Sequence, residues 1–393
     1  MKTALQFGAG NIGRGFMGQL FFEAGFRICF VDASKDLAES LKVSGSYPLR
    51  LLDAKTRQEI EMTIDKISVC HTDENQAVAE EFAACDVAGT AVGVKNLPAI
   101  APLIAEGIKV RRKKNNSPVD IYLCENMLDA AEQLKDRVFS LLHEEDKSWA
   151  EDNIGFVGTT VARMVPQAKP EILKENPLIV RADSYHKLPF NGKAAKADPP
   201  PIEGLFPVSN FRAEVEKKLF VYNLGHAALA YLGSLKGYTY VHETMEDPEL
   251  KAVFSGALEE TCSALMKYYP EDITGDDIAY VRDDIDLRFG NPLIQDTVKR
   301  VGRDPIRKLG KEDRLIGSAL FCESLGIDPE NITKVAGAAL RYSLPDDAEA
   351  QKLQNKIKDE GIQSAVRSIT SLEENSRLFK LIIQAYEAWG KIE

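Results

Sequence analysis

Eight residues into the chain, the run GAGNIGRGFMG places five glycines, Gly8, Gly10, Gly13, Gly15 and Gly18, between two short apolar stretches, TALQF and RICFVD. Each glycine weakens a helix or strand by about 1 kcal/mol relative to alanine. A chain that keeps so many here is bringing its backbone close to something. TALQF reads as a buried strand, NIGRGFMGQLFFEAG as a helix ended by Gly25, and RICFVD as a second buried strand. Strand, G-x-G-x-x-G, helix and strand form the dinucleotide-binding pattern of a Rossmann-type fold. In it Gly8 makes the tight turn, Gly10 lets the backbone approach a pyrophosphate, and Gly13 lets helix and strand pack closely. The helix N-terminus offers unpaired N–H groups and a partial positive charge to the phosphates. Asp32 closes the second strand 19 residues after Gly13. A carboxylate there accepts from both ribose hydroxyls and repels a 2′-phosphate, which favours NAD over NADP; Lys35 is the nearby residue that argues the other way. A glycine-rich turn that binds nothing would leave Gly10 without a reason.

The alternation continues. SKDLAESLKVSG reads as a helix capped by Ser34, CDVAGTAV as a strand, LPAIAPLIAEGIKVRRKK as a helix, VDIYLCEN as a strand and MLDAAEQLKDRVFSLL as a helix. Strands alternating with helices imply a parallel sheet with crossovers. Between them, SYPLRLLDAKTRQEIEMTIDKISVCHTD alternates like exposed antiparallel strands and reads as an insertion. Residues 155–210 are rich in strands and turns, KAAKADPPPIEGLFP is the most linker-like stretch, and beyond 211 the apolar spacing is helical throughout. The expectation is an α/β Rossmann-type domain over residues 1–200 and a mainly α-helical substrate domain over 201–393, with the site between them.

Charge and composition narrow the class. The chain carries 49 basic and 60 acidic side chains, a net charge of −11, which argues against a general nucleic-acid or anionic-membrane binder. No apolar run reaches the roughly 18 residues of a membrane span, and glycines interrupt MKTALQFGAG too early for a signal peptide. Cys29, Cys70, Cys85, Cys124, Cys262 and Cys322 are scattered, without a C-x-x-C pair, as expected of core residues in a reducing cytoplasm. The five histidines form no metal-binding motif, so no metal is expected.

Without a metal, hydride transfer to or from a nicotinamide needs a side chain that exchanges the alcohol proton and groups that polarise the carbonyl. The helical run VEKKLFVYNLGHAALAYLG offers Lys218, Asn223 and His226. At about 100° per residue they sit near 0°, 140° and 80°, on one side of a helix. Such an Asn and His could equally serve helix packing, with a snorkelling lysine. The glycine loop, TAVG at 90–93, CENM at 124–127, KLFVYNLGHA at 218–227, RFGNP at 288–292 and VGRDPIRKL at 301–309 together resemble the polyol-specific long-chain dehydrogenases over nearly the whole chain. The resemblance implies that Lys218 is the general acid–base, that Asn223 contacts the reacting oxygen with Asn126 as a second amide, and that His226 orients the substrate. It also implies a cofactor site built from Gly8, Gly10, Asn11, Ile12, Gly13, Asp32, Thr90, Val92 and Glu125. A free lysine titrates near 10.4, so a base at this position needs a value lowered by about two to three units. An apolar wall, the neighbouring Lys217 and the positive nicotinamide ring all push that way.

Residues 299–314, KRVGRDPIRKLGKEDR, hold seven basic and three acidic side chains in an otherwise acidic protein. GRDPIRKL resembles the phosphorylated-polyol branch of the family, which makes Arg303, Arg307 and Lys308 candidates for a phosphate clamp. The alternative is a solvated helix end. The implied reaction interconverts a hexitol phosphate and a ketose phosphate, mannitol 1-phosphate and fructose 6-phosphate, with NAD. Two positions depart from the family pattern: His186 stands where Trp is expected and Ala162 where Asp is expected, with Asp183 as a substitute acid. These departures bear on sugar stereochemistry and keep an unphosphorylated polyol or a hexuronate open as substrate. A dinucleotide sensor without turnover is the competing class, and the Lys218–Asn223–His226 set argues against it. The expected partner is a small sugar or polyol phosphate; monomer and dimer both remain open.

Overall fold

The computed structural model describes residues 1–114 and 117–390. The chain divides into two compact units, Met1–Glu214 and Val215–Glu393. Among its described residues the first unit contains eleven strands: β1 (Thr3–Phe7), β2 (Arg27–Asp32), β3 (Tyr47–Asp53), β4 (Gln58–Ile64), β5 (Ile67–His71), β6 (Val87–Thr90), β7 (Val119–Leu123), β8 (Ile154–Gly158), β9 (Val180–Asp183), β10 (Leu188–Asn191) and β11 (Leu205–Val208). Six of them make one sheet in the order β5-β2-β1-β6-β7-β8, and every pairing in it is parallel. Counted within the sheet, this is the 3-2-1-4-5-6 order of a dinucleotide-binding domain, whose ligands lie beyond the carboxyl ends of the strands.

Both faces of this sheet are covered, which is why β1 and β7 are buried at every residue. Successive side chains alternate between two cores, as the twofold period of a strand requires. Leu5, Phe7, Cys29 and Val31 enter one core with the helices Asn75–Ala84, Leu97–Lys114 and Ala130–Ser140. Ala4, Ile28 and Phe30 enter the other with Phe16, Leu20, Leu41 and Tyr47. Ser34 caps the Lys35–Ser44 helix, its hydroxyl accepting from the Leu37 N–H at 3.3 Å.

The stretch expected to be an antiparallel insertion is one only in part. β3 and β4 do pair antiparallel, but β3 also pairs parallel with β9. ISVCH, the end of that stretch, is β5, an edge strand of the main sheet paired in parallel with β2.

The second unit is helical. Its Leu224–Leu235 helix is apolar nearly all round and buried at nine of its twelve residues, as befits the centre of a helical domain. It packs against the helices Val241–Glu246, Pro248–Tyr268, Val298–Gly302 and Glu330–Leu340. Among the described residues, no helix is long and apolar enough to cross a membrane.

Candidate active site

In the first unit the predicted cofactor residues lie at the carboxyl ends of neighbouring strands: the glycine loop after β1, Asp32 ending β2, Thr90 ending β6, and Glu125 following β7, with the catalytic candidate Asn126 next to it. Gly8 has φ +90°, and a Cβ there would lie 2.5 Å from the Ala91 carbonyl oxygen. At Gly13 a Cβ would lie 1.9 Å from the Gly8 carbonyl oxygen, so helix and loop are in backbone contact. At Gly10 a Cβ would meet no atom within 4 Å. The first two glycines are thus required by the protein's own packing, whereas Gly10 borders open space. That space lies over the first turn of the following helix, where Asn11 and Ile12 stand and the leading N–H groups lack helical partners. Unpaired N–H groups at a helix start are the kind of donor a pyrophosphate takes.

Asp32 is half-buried and ties the loop down. Its Oδ2 accepts from the Ala9 N–H at 2.7 Å and its Oδ1 from the Ser34 N–H at 2.8 Å. Lys35, the residue that argued for a 2′-phosphate, is exposed and lies 3.8 Å from Asp73. Glu125 is buried and turned toward backbone: Oε1 accepts from Thr90 Oγ1 and the Val92 N–H, and Oε2 from the Gly93 N–H. Burial pushes its carboxyl up, against the opposing pull of those three donors. Glu125 therefore shapes the 90–93 turn, and Asn126, the next residue, is exposed. Arg14 was not singled out by the motif. It reaches back into the loop, donating from Nε to the Ala9 carbonyl at 2.6 Å and from Nη1 to the Leu178 carbonyl.

In the second unit the polar set lies on a helix that is locally unwound. The α-helix Phe211–Lys217 passes into a π-helical turn, Lys218–Asn223, and then into Leu224–Leu235. The turn is marked by the Leu224 N–H donating to the Leu219 carbonyl, five residues back. A π turn holds one residue more than an α turn. Asn223, about 140° from Lys218 on a regular helix, comes to within about 40° of it, and His226 to within about 20°. The widened turn thus collects the three side chains on one stripe more tightly than regular spacing would.

Burial, followed by the positive field of Arg314, pushes the half-buried Lys218 down to about 7, with Asp313 opposing. The cation responsible is Arg314, not the chain neighbour Lys217. His226 stacks on Phe289, with ring centroids 4.8 Å apart, and its Nε2 lies 2.8 Å from Asp296 Oδ2. Burial lowers the proton affinity of its ring, and Asp296 only partly offsets this.

The basic turn after the Val298–Gly302 helix is built around Asp304, a non-glycine residue with φ +58°. Arg303 is exposed, and its Nε donates to the Arg300 carbonyl at 3.0 Å. Arg307 is exposed too, but bound to Asp313 at 2.7 Å, with Asp304 3.6 Å away. Lys308 departs from the expected clamp. It is 5% exposed and turned inward, its ammonium donating to the Val301 and Arg303 carbonyls. Burial, then Arg314 and Arg307, push it down to about 7. It pins the turn from beneath. Asp183, the substitute acid, is fully buried and accepts from the Met164 and Tyr185 N–H groups. Ala162 is half-buried and His186 exposed. Asp296 and Arg314 had no motif to announce them; charge at positions four residues before Arg300 and four residues before Ser318 is not itself a signal.

The family model of the mannitol dehydrogenase Rossmann domain matches residues 2–204, and that of the mannitol dehydrogenase C-terminal domain matches 210–389. A mannitol-1-phosphate 5-dehydrogenase of Caldanaerobacter subterraneus subsp. tengcongensis is 36% identical over 393 residues, covering all of both chains. Among solved structures, the chain resembles mannitol 2-dehydrogenase of Pseudomonas fluorescens, captured with NAD and D-mannitol. That likeness has a TM-score of 0.77 at 18% identity over 98% of this chain and 91% of the other. A D-sorbitol dehydrogenase in substrate-free form gives a TM-score of 0.80 at 18% identity, over 98% and 92% of the two chains. At such identities the solved structures speak for the fold.

Proposed function

The chain belongs to the mannitol dehydrogenase family, and from that premise we propose that it is an NAD-dependent oxidoreductase interconverting mannitol 1-phosphate and fructose 6-phosphate. The full-length relative carries the substrate reading, since its name specifies a phosphorylated hexitol. The observation that carries the chemistry is Lys218, a lysine held at about 7 on the widened turn that it shares with Asn223.

The glycine loop, Asn11, Ile12 and Asp32 would hold NAD, with Thr90 and Glu125 fixing the turn that carries Val92. When bound, the nicotinamide supplies or accepts the hydride. Lys218 Nζ takes the hydroxyl proton during oxidation and returns it during reduction, and a value near the working pH suits it to both. Asn223 and Asn126 donate amide hydrogens to the reacting oxygen, which stabilises the charge that develops there. His226 orients the sugar chain. Arg303 and Arg307 present guanidinium groups to the phosphate, and Lys308 holds their turn from beneath. A reducing cytoplasm suits the six cysteines, all of them buried and free.

Absorbance at 340 nm tests this directly. NADH should be oxidised with fructose 6-phosphate, far more slowly with fructose and with hexuronates, and more slowly again when NADPH replaces NADH. Exhaustive chelation should leave the rate unchanged. Equal rates with fructose and its phosphate would overturn the substrate reading.

A further inference from the structure

Asp296 occupies an unusual position for a residue of no assigned role. It follows Gln295, a non-glycine residue with φ +50°, a backbone conformation that side chains avoid and that persists where surrounding structure imposes it. Its carbonyl accepts from the Val241 N–H at 2.9 Å. The next residue, Thr297, caps the Val298–Gly302 helix. The side chain is therefore anchored on both flanks. It is 5% exposed. Oδ2 lies 2.8 Å from His226 Nε2, and Arg300 closes the other side, with Nε donating to Oδ1 and Nη2 to Oδ2. Burial would raise this carboxyl, but the bonds from His226 and Arg300 outweigh it and keep the group ionised.

The chemistry of this contact is restrictive. A carboxylate has no hydrogen to give, so the imidazole must supply it. Burial keeps His226 neutral, with Arg300 and Lys308 adding to that tendency, and a neutral imidazole has one N–H. With that hydrogen committed to Asp296, Nδ1 carries a lone pair. Phe289, stacked on the ring at an interplanar angle of 15°, holds the plane of the imidazole, and the bond to Asp296 holds its orientation.

We propose that Asp296 is a positioning residue that fixes His226 as the Nε2–H tautomer, so that Nδ1 accepts a hydrogen bond from a substrate hydroxyl. This rests on the assignment of His226 to the sugar site. It implies a requirement for a hydroxyl donor beside the reacting carbon, and discrimination against analogues deoxygenated there.

Two measurements on the full chain test it. In uniformly 15N-histidine-labelled protein at pH 8, the spectrum contains five histidines, and His226 is assigned by its loss in His226→Gln. The expected pattern is a protonated Nε2 with a strongly downfield, slowly exchanging hydrogen, and an unprotonated Nδ1. A protonated Nδ1 overturns the proposal whether or not the protein turns over any sugar, so its failure is distinct from a failure of the reaction assignment. In kinetics, Asp296→Asn should raise the KM for fructose 6-phosphate about tenfold, the worth of one hydrogen bond, with a smaller change in kcat. The double variant with His226→Gln should lose no more than His226→Gln alone. Additive losses would mean that Asp296 serves the fold and not the histidine. Should Asp296→Asn fail to fold, the tautomer of the native protein still decides.

Discussion

At the scale of single residues, Lys218 sets the strongest expectation. With its ammonium at about 7, the neutral form needed for alcohol oxidation is scarce in acid and accumulates as pH rises. The oxidation rate should therefore climb about tenfold per pH unit below 7 and level off above it, while ketone reduction, which needs the protonated form, should fall above 7. Lys308 is pushed to a similar value, so the limb must be assigned: in Lys218→Ala it should vanish and turnover should drop by about 10²-fold or more, with NADH affinity nearly unchanged. Arg314→Gln removes the positive field that opposes protonation, so the midpoint should move to higher pH. A midpoint that stays in place would remove Arg314 as the cause.

At the scale of elements, the loop between β1 and its helix separates two kinds of glycine. Gly13→Ala drives a methyl into the Gly8 carbonyl at 1.9 Å, and overpacking of this kind costs about 1–3 kcal/mol or more. Gly10→Ala meets no protein atom, and alanine at a compatible position typically adds about 0.4–1 kcal/mol of stability. Denaturant titration should find Gly13→Ala destabilised and Gly10→Ala at least as stable as the parent, while NADH titration should find the Gly10 variant impaired because the methyl occupies space left for the pyrophosphate. Unimpaired NADH binding in Gly10→Ala would place the cofactor elsewhere. The π turn makes a parallel point. A helix that hydrogen-bonds five residues back at Leu224 gives up regular geometry, and such turns recur at functional sites.

At the scale of the whole molecule, charge is the deciding quantity. For a chain of net charge −11 to bind a phosphorylated sugar, as proposed, it must concentrate cations locally. The 299–314 segment does so, and among the described residues Arg303 is an exposed guanidinium with no carboxylate at salt-bridge distance, whereas Arg307 is held by Asp313. A charge-assisted hydrogen bond contributes about 1.5–3 kcal/mol. Arg303→Ala should therefore raise the KM for fructose 6-phosphate tenfold or more and leave any slow use of fructose untouched. Equal effects on both sugars would assign the arginine to folding.

Much of this protein was determined by local sequence. The glycine loop, the alternation of strands and helices through residue 140 and the helical second half each follow from spacing within a few turns or strands, where the physical cause is itself local: backbone freedom, capping and hydrophobic period. The end of the 46–73 stretch was not legible, because β5 owes its place to pairing with β2, some forty residues earlier, and an edge strand alternates much as an exposed hairpin does. Spacing at 100° per residue could group Lys218, Asn223 and His226 but not foresee the extra residue in their turn. Nor could it show that Lys308 faces inward. Asp296 meets His226 only because the turn before the Val298–Gly302 helix is brought against a helix seventy residues earlier in sequence, and burial, which sets the charge of Lys218, His226 and Lys308, exists only once the chain has folded. Type and order of elements were matters of sequence; which charges lose their water, and which face each other, were decided by tertiary structure.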